Sequence, residues 1–185
     1  MASIYKIVFA GPVGAGKTQA VKALSDIEVV STEASASDEV KNLKARTTVA
    51  MDYGVMNLAS GDRVRLYGTP GQARFDFMWE ILTENALGLV LLIKGDAPDP
   101  VAELRSYIGA FRRTIEQTAL VVGITHTSWS DRTVRPAIAA ELERQGFPAT
   151  VMNVDARERA DLVTLVKALI YGIDPLYSAD PAAIP

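Results

Sequence analysis

Apolar residues recur along this chain in two rhythms. Short unbroken runs of strand length alternate with stretches in which they return every third or fourth position. Ile4–Ala10, Leu87–Lys94, Ala119–Thr125 and Thr150–Val154 belong to the first kind and predict strands buried on both faces. Pro100–Ile115 belongs to the second: Val101, Leu104, Ile108, Phe111 and Ile115 fall on one helical face. Helices are also predicted over Lys17–Ser25, Asp76–Glu84, Asp131–Gln145 and Glu158–Tyr171. Gly146 suits the end of the third of these, and the last carries a wide stripe from Leu162 to Ile170.

Thr48–Leu58 and Asp62–Gly68 predict a hairpin around Ser60-Gly61, with Val64 and Leu66 alternating with Arg63 and Arg65. Val29–Lys44 is polar, Ser-rich and aperiodic, and reads as a long mobile loop. A loop of that length inside a compact domain is usually functional. Strands alternating with helices, plus one hairpin, predict an α/β fold: a mostly parallel six-stranded sheet with one antiparallel hairpin edge and helices on both faces. The elements fill residues 1–173 as one domain. Residues 174–185, with Pro175, Pro181 and Pro185, read as a tail.

Composition narrows the picture. At 185 residues and 49% hydrophobic, the chain can build a full core. A net charge of −3 weighs against nucleic acid as the main partner. The absence of cysteine excludes disulfides, thiolate metal sites and lipidation at cysteine, and an intracellular, cytoplasmic protein is the simplest expectation. MASIYKIVFAGP reads as a first strand rather than a signal peptide. No apolar run approaches the roughly 20 residues of a membrane helix.

Chemistry enters with GPVGAGKT, residues 11–18, between the first strand and the first helix. This is the GxxxxGK[ST] phosphate loop. Its glycines permit a tight turn that points backbone N–H groups inward, and the following helix adds the positive end of its dipole. Gly11, Val13, Gly14, Ala15 and Gly16 would form the cradle. Lys17 would reach the outer phosphates, and Thr18 would offer its hydroxyl to Mg2+.

A second stretch, GTPGQARFDF (Gly68–Phe77), follows the hairpin. It resembles the DTAGQERF segment of small GTPases, with Gly71 and Gln72 as the Gly-Gln pair. TVAMDYG resembles the TIGVDF-like segment that opens their second strand, and DAR (Asp155, Ala156, Arg157) resembles their base-side SAK loop. The chain thus resembles a Ras-superfamily small GTPase, with the P-loop small G-protein fold. Its likeness is greatest to the bacterial branch that includes MglA-type proteins and GTPases encoded beside roadblock-domain partners.

That resemblance implies a slow GTP hydrolase and molecular switch, holding GTP or GDP with Mg2+ and regulated by a roadblock-domain partner. In it Gln72 orients the attacking water, and Gly71 donates its N–H to the γ-phosphate. Thr48, with Thr47 as rival, closes over Mg2+. The Ser-rich loop becomes switch I and residues 69–79 become switch II. Arg46 or Arg74 is positioned to act as an arginine finger in cis, Arg46 being preferred. The partner is expected to dock across the switches and the hairpin edge, where Arg63 and Arg65 project.

The chain departs from the family in three places. Gly68 stands where an Asp usually steadies Mg2+, leaving the metal to Thr18, Thr48, phosphates and waters. Val13 stands where Ras has glycine. The guanine-reading NKxD is replaced by Thr125-His126-Thr127-Ser128, so Ser128 has no charge to offer the base, and Asp131 could substitute only after a loop rearrangement. His126 takes the place of the lysine that packs on the base, or is a solvent-facing loop histidine. Two rival readings stay open: a degenerate GTPase that loads nucleotide as a binding module, and a P-loop kinase or ATPase.

Overall fold

A computed structural model of the chain describes residues 3–31, 51–71, 77–128 and 131–173. The elements are β1 (Ile4–Ala10), α1 (Lys17–Leu24), β2 (Val30–Ser31), β3 (Asp52–Asn57), β4 (Arg63–Gly68) and α2 (Phe77–Thr83). They continue as β5 (Gly88–Lys94), α3 (Pro100–Ile115), β6 (Ala119–Thr125), α4 (Val134–Gln145), β7 (Thr150–Asn153) and α5 (Arg159–Ile173). The strands form one sheet in the order β2-β3-β4-β1-β5-β6-β7. β2 and β4 both run antiparallel to β3, while every other neighbouring pair is parallel.

The sheet has seven strands where six were predicted. The additional one is β2, two residues at the edge, paired to β3 through Val30↔Tyr53 and Ser31↔Asp52. It lies in what reads from sequence as loop, because two residues are too few to show an alternation. β4 is flanked by β3 and β1, so Arg63 and Arg65 stand on the face of the sheet rather than at its edge. On that face Tyr53 and Tyr67 lie cross-strand with ring centroids 5.2 Å apart, and the Lys6 ammonium sits 5.1 Å from the Tyr67 ring.

The period of two divides β1 between two cores. Ile7 and Phe9 join Val21, Leu24, Leu66, Leu92, Leu165 and Leu169 under α1 and α5. Val8 and Ala10 join Leu89, Leu91, Leu104, Ile108 and Leu142 under α3 and α4. Each large side chain withdrawn from water here contributes about 1.5–3 kcal/mol before entropy is counted. α3 keeps its predicted bounds because Asp99 caps it, its side chain accepting from the Ala102 N–H at 2.9 Å, with Pro100 at the first helical position. Buried Glu141 of α4 binds α3 through Arg105 at 3.0 Å and is also held by Arg144 of its own helix. Among the described residues no helix is long and apolar enough to cross a membrane.

Candidate functional site

The parallel strands β1, β5, β6 and β7 all point their carboxyl ends at one rim of the sheet, where ligands of open α/β sheets bind. Residues 11–16 leave β1 at that rim and return as α1. Gly16 stands immediately before α1 at φ +97°, a left-handed conformation that suits glycine. A Cβ there would lie 2.7 Å from the Ala156 Cβ, so the phosphate loop and the 155–157 loop are in direct contact. α1 has neither a side-chain cap nor an acidic residue of its own in its first turn, so the positive end of its dipole faces the loop.

Lys17 is buried, 8% exposed, and donates from Nζ to the Gly11 and Pro12 carbonyls, both at 2.8 Å. Burial lowers its pKa to about 8 against the opposing pull of Asp52. A buried ammonium hydrogen-bonded to neutral carbonyls is a strong attractor for an anion. Val13 is exposed beside it. Gly71 crosses directly over this loop: a Cβ on it would lie 2.8 Å from both Lys17 Nζ and the Val13 backbone nitrogen. The Pro70 carbonyl accepts from the Trp79 indole at 3.0 Å, and the Gly71 carbonyl from the Tyr107 hydroxyl at 3.4 Å. Burial, and after it Glu103, pushes the Tyr107 hydroxyl up to about 12, so it is a donor at any ordinary pH.

The Thr18 hydroxyl donates to Asp52 Oδ2 at 2.5 Å, and Ser31 donates to Oδ1 of the same carboxylate at 2.5 Å. Asp52 is 7% exposed and lies directly across from Gly68 in the β3–β4 ladder. Nothing in the sequence singles it out. A two-residue turn at Ser60-Gly61 would pair position 52 with 69. The turn instead has three residues, closed by the Leu58 N–H on the Asp62 carbonyl, and that shifts the register by one. Counting with the three-residue alternative is the signal that could have found it. The buried Thr69 hydroxyl, next to Gly68, has no hydrogen-bond partner among the described residues.

On the far side, Thr125 donates from Oγ1 to the Ala15 carbonyl at 2.9 Å. His126, at φ +54°, brings Nε2 to 2.9 Å from the Gly14 carbonyl. Its ring is exposed but lies against the phosphate loop rather than hanging free in solvent. Asp155 is clasped by Arg157 at 2.6 and 2.9 Å, and these bonds, with the Arg157 backbone N–H, hold its carboxyl at about 2. Asp131 is committed elsewhere. It accepts from the Thr133 backbone and hydroxyl and from Thr127, and the Thr133 bonds depress its pKa. It therefore organises the entry to α4, which begins at Val134 rather than at the predicted Asp131.

The fold thus brings together Gly11, Val13, Gly14, Ala15, Gly16, Lys17, Thr18, Gly71, Thr125, His126, Asp155, Ala156 and Arg157. Gln72, Arg74, Arg46, Thr47 and Thr48, most of both predicted switches and the 174–185 tail lie outside the described residues.

No family model matches the chain. It is similar to the intraflagellar transport protein 22 homolog of Bos taurus, 22% identical over 173 residues that cover 91% of each chain. The Danio rerio homolog of that protein is 24% identical over 147 residues, 75% of each chain. Among solved structures, bacterial selenocysteine-specific elongation factor EF-Sec matches with a TM-score of 0.64 at 21% identity. The match covers 95% of this chain and 30% of the elongation factor. The likeness is one of architecture: the chain has the α/β fold of P-loop GTPases, with its phosphate-loop motif at the tip of the first strand.

Proposed function

We propose that the chain is a molecular switch that binds GTP or GDP and hydrolyses GTP slowly. The observation that carries this reading is the Lys17 ammonium, buried on loop carbonyls at the uncapped start of α1, with Gly71 laid across the same loop. A terminal phosphoryl group entering there would meet Lys17 and the Gly71 backbone at once. The polarity of the described residues also suits Mg2+. Thr18 offers a hydroxyl oxygen, with the Asp52 carboxylate behind it. Mg2+ in such a site neutralises charge on the phosphate oxygens. The chain's own work is to position: Lys17 draws in the outer phosphates, the loop amides cradle them, and Gln72 orients water. Thr18 and Thr48 would hold the metal, and Arg46 would supply the cis cation.

The family resemblance extends the reading to partner-dependent signalling. We assign the chain to the MglA-like branch, with a roadblock-domain protein as regulator, docking near the switches and the open face that carries Tyr53, Arg63, Arg65 and Tyr67. Base preference for guanine rests on Thr125, His126 and the 155–157 loop packed against the phosphate loop.

The second reading, a nucleotide-loaded module without productive hydrolysis, is favoured by Ser128 and Gly68, which remove two of the family's carboxylates. Single-turnover hydrolysis by the full chain and by Gln72→Ala separates the two. A rate that falls at least about tenfold in the variant supports the switch, and negligible turnover in both supports the module.

A further inference from the structure

The carboxylate missing at position 68 has a replacement one strand away. Asp52 is the cross-strand partner of Gly68, and the two side-chain positions share one face of the ladder. A Cβ built on Gly68 would lie 3.0 Å from Asp52 Oδ2 and 3.2 Å from the Asp52 Cβ. The space left by the glycine is therefore the space the carboxylate uses. From there Oδ2 accepts from the Thr18 hydroxyl, while Ser31 fixes Oδ1.

We infer that Asp52 is the carboxylate that steadies the metal ion in this site, doing from β3 what an aspartate at the end of β4 would otherwise do. The inference deepens the nucleotide reading and rests on it. Three features support it. Asp52 is buried, so its charge is little screened and is felt at Thr18 and Lys17. It is oriented at both oxygens, as a group supporting a metal ligand must be. It also ties Thr18 of α1 to Ser31 of β2, so one side chain joins the start of the helix to the edge of the sheet.

The geometry predicts an exchangeable pair. Moving the carboxylate back, as Asp52→Gly/Gly68→Asp, returns it to the same pocket from the opposite strand, whereas Gly68→Asp alone would press two carboxylates together. The test follows release of a fluorescent GDP analogue over a Mg2+ titration and in chelator, for the wild-type chain, Asp52→Asn and the exchange variant. The expected result is that Mg2+ slows release from the wild type. The Mg2+ concentration for half-maximal slowing should rise about 10- to 100-fold in Asp52→Asn, well beyond any change in its rate in chelator. The exchange variant should return to within about threefold of wild type.

A wild-type titration curve in Asp52→Asn overturns the assignment and leaves the nucleotide reading standing. So does a wild type indifferent to Mg2+, or an Asp52→Asn chain whose chelator rate rises as much as its rate with Mg2+. A wild-type chain that binds no nucleotide overturns both. If Asp52→Asn does not fold, the exchange variant decides alone: folded and Mg2+-responsive supports the assignment, folded and unresponsive overturns it.

Discussion

The indole N–H of Trp79 donates to the carbonyl of Pro70 at 3.0 Å, tying the first turn of α2 to the residue before Gly71. Trp79 is 7% exposed and stacks on Phe111 of α3 at 4.9 Å, with Tyr107 at 5.5 Å. The aromatic cluster therefore anchors the segment that lies across the phosphate loop.

It follows that Trp79 reports on the state of that segment. Exchange of GDP for a non-hydrolysable GTP analogue should change the tryptophan emission of a Trp129→Phe chain. The change should be absent from a Trp79→Phe chain that keeps Trp129, with a second fluorophore confirming loading. Trp79→Phe leaves the Pro70 carbonyl without its donor and should cost about 1 kcal/mol in urea denaturation.

Lys17 makes the site sensitive to pH. Its pKa falls from 10.5 to about 8 on folding, chiefly through burial. Between those values the unfolded chain holds a proton that the folded chain does not, so stability of the nucleotide-free protein rises with pH across the window. Phosphate reverses the preference, because a bound polyanion favours the charged lysine. Nucleotide binding above pH 8 therefore takes up a proton, and affinity should fall about tenfold between pH 7 and 9. Calorimetry in buffers of different ionisation heat would read the proton directly.

Gly16→Ala should damage both loops at once. The new Cβ meets Ala156 at 2.7 Å, and the backbone sits at φ +97°. Left-handed strain and overpacking together predict a loss of about 2–4 kcal/mol by denaturation. The same substitution at Gly109, on α3 with nothing within contact distance, should be neutral or stabilising.

Ser128→Asp tests the account of the base. If Thr125, His126 and Ala156 frame a purine, a carboxylate at 128 restores an acceptor for the guanine edge. Preference for GDP over ADP should then rise by about tenfold or more in competition binding. An unchanged ratio would place the base elsewhere.

Most of the fold was legible because its signals are local. β1, α3 and β6 have their predicted bounds, set by an unbroken apolar run, by Asp99 and Pro100, and by a run that ends at a polar loop. The sequence starts α4 three residues early because Asp131 resembles a helix opener, yet its carboxylate is spent on Thr133 and Thr127 in the preceding turn. β2 is invisible in the sequence because an edge strand of two residues carries no periodicity. The gathering of GPVGAGKT, Gly71, Thr125, His126 and the 155–157 loop followed from motif order along an α/β chain. Asp52 did not, because its position depends on a one-residue difference in turn length, and a hairpin register is decided by the pairing of both strands rather than by either alone.

The central claim is that the loop at residues 11–18 holds the phosphates of a guanine nucleotide. Titration of the nucleotide-stripped full-length chain with GDP, GTP and ATP in the presence of Mg2+, beside Lys17→Ala, tests it most directly. The account predicts one site, at least about tenfold preference for the guanine nucleotides, and a loss of at least about a hundredfold in the variant. Absence of binding, preference for ATP, or equal affinity in Lys17→Ala would contradict it.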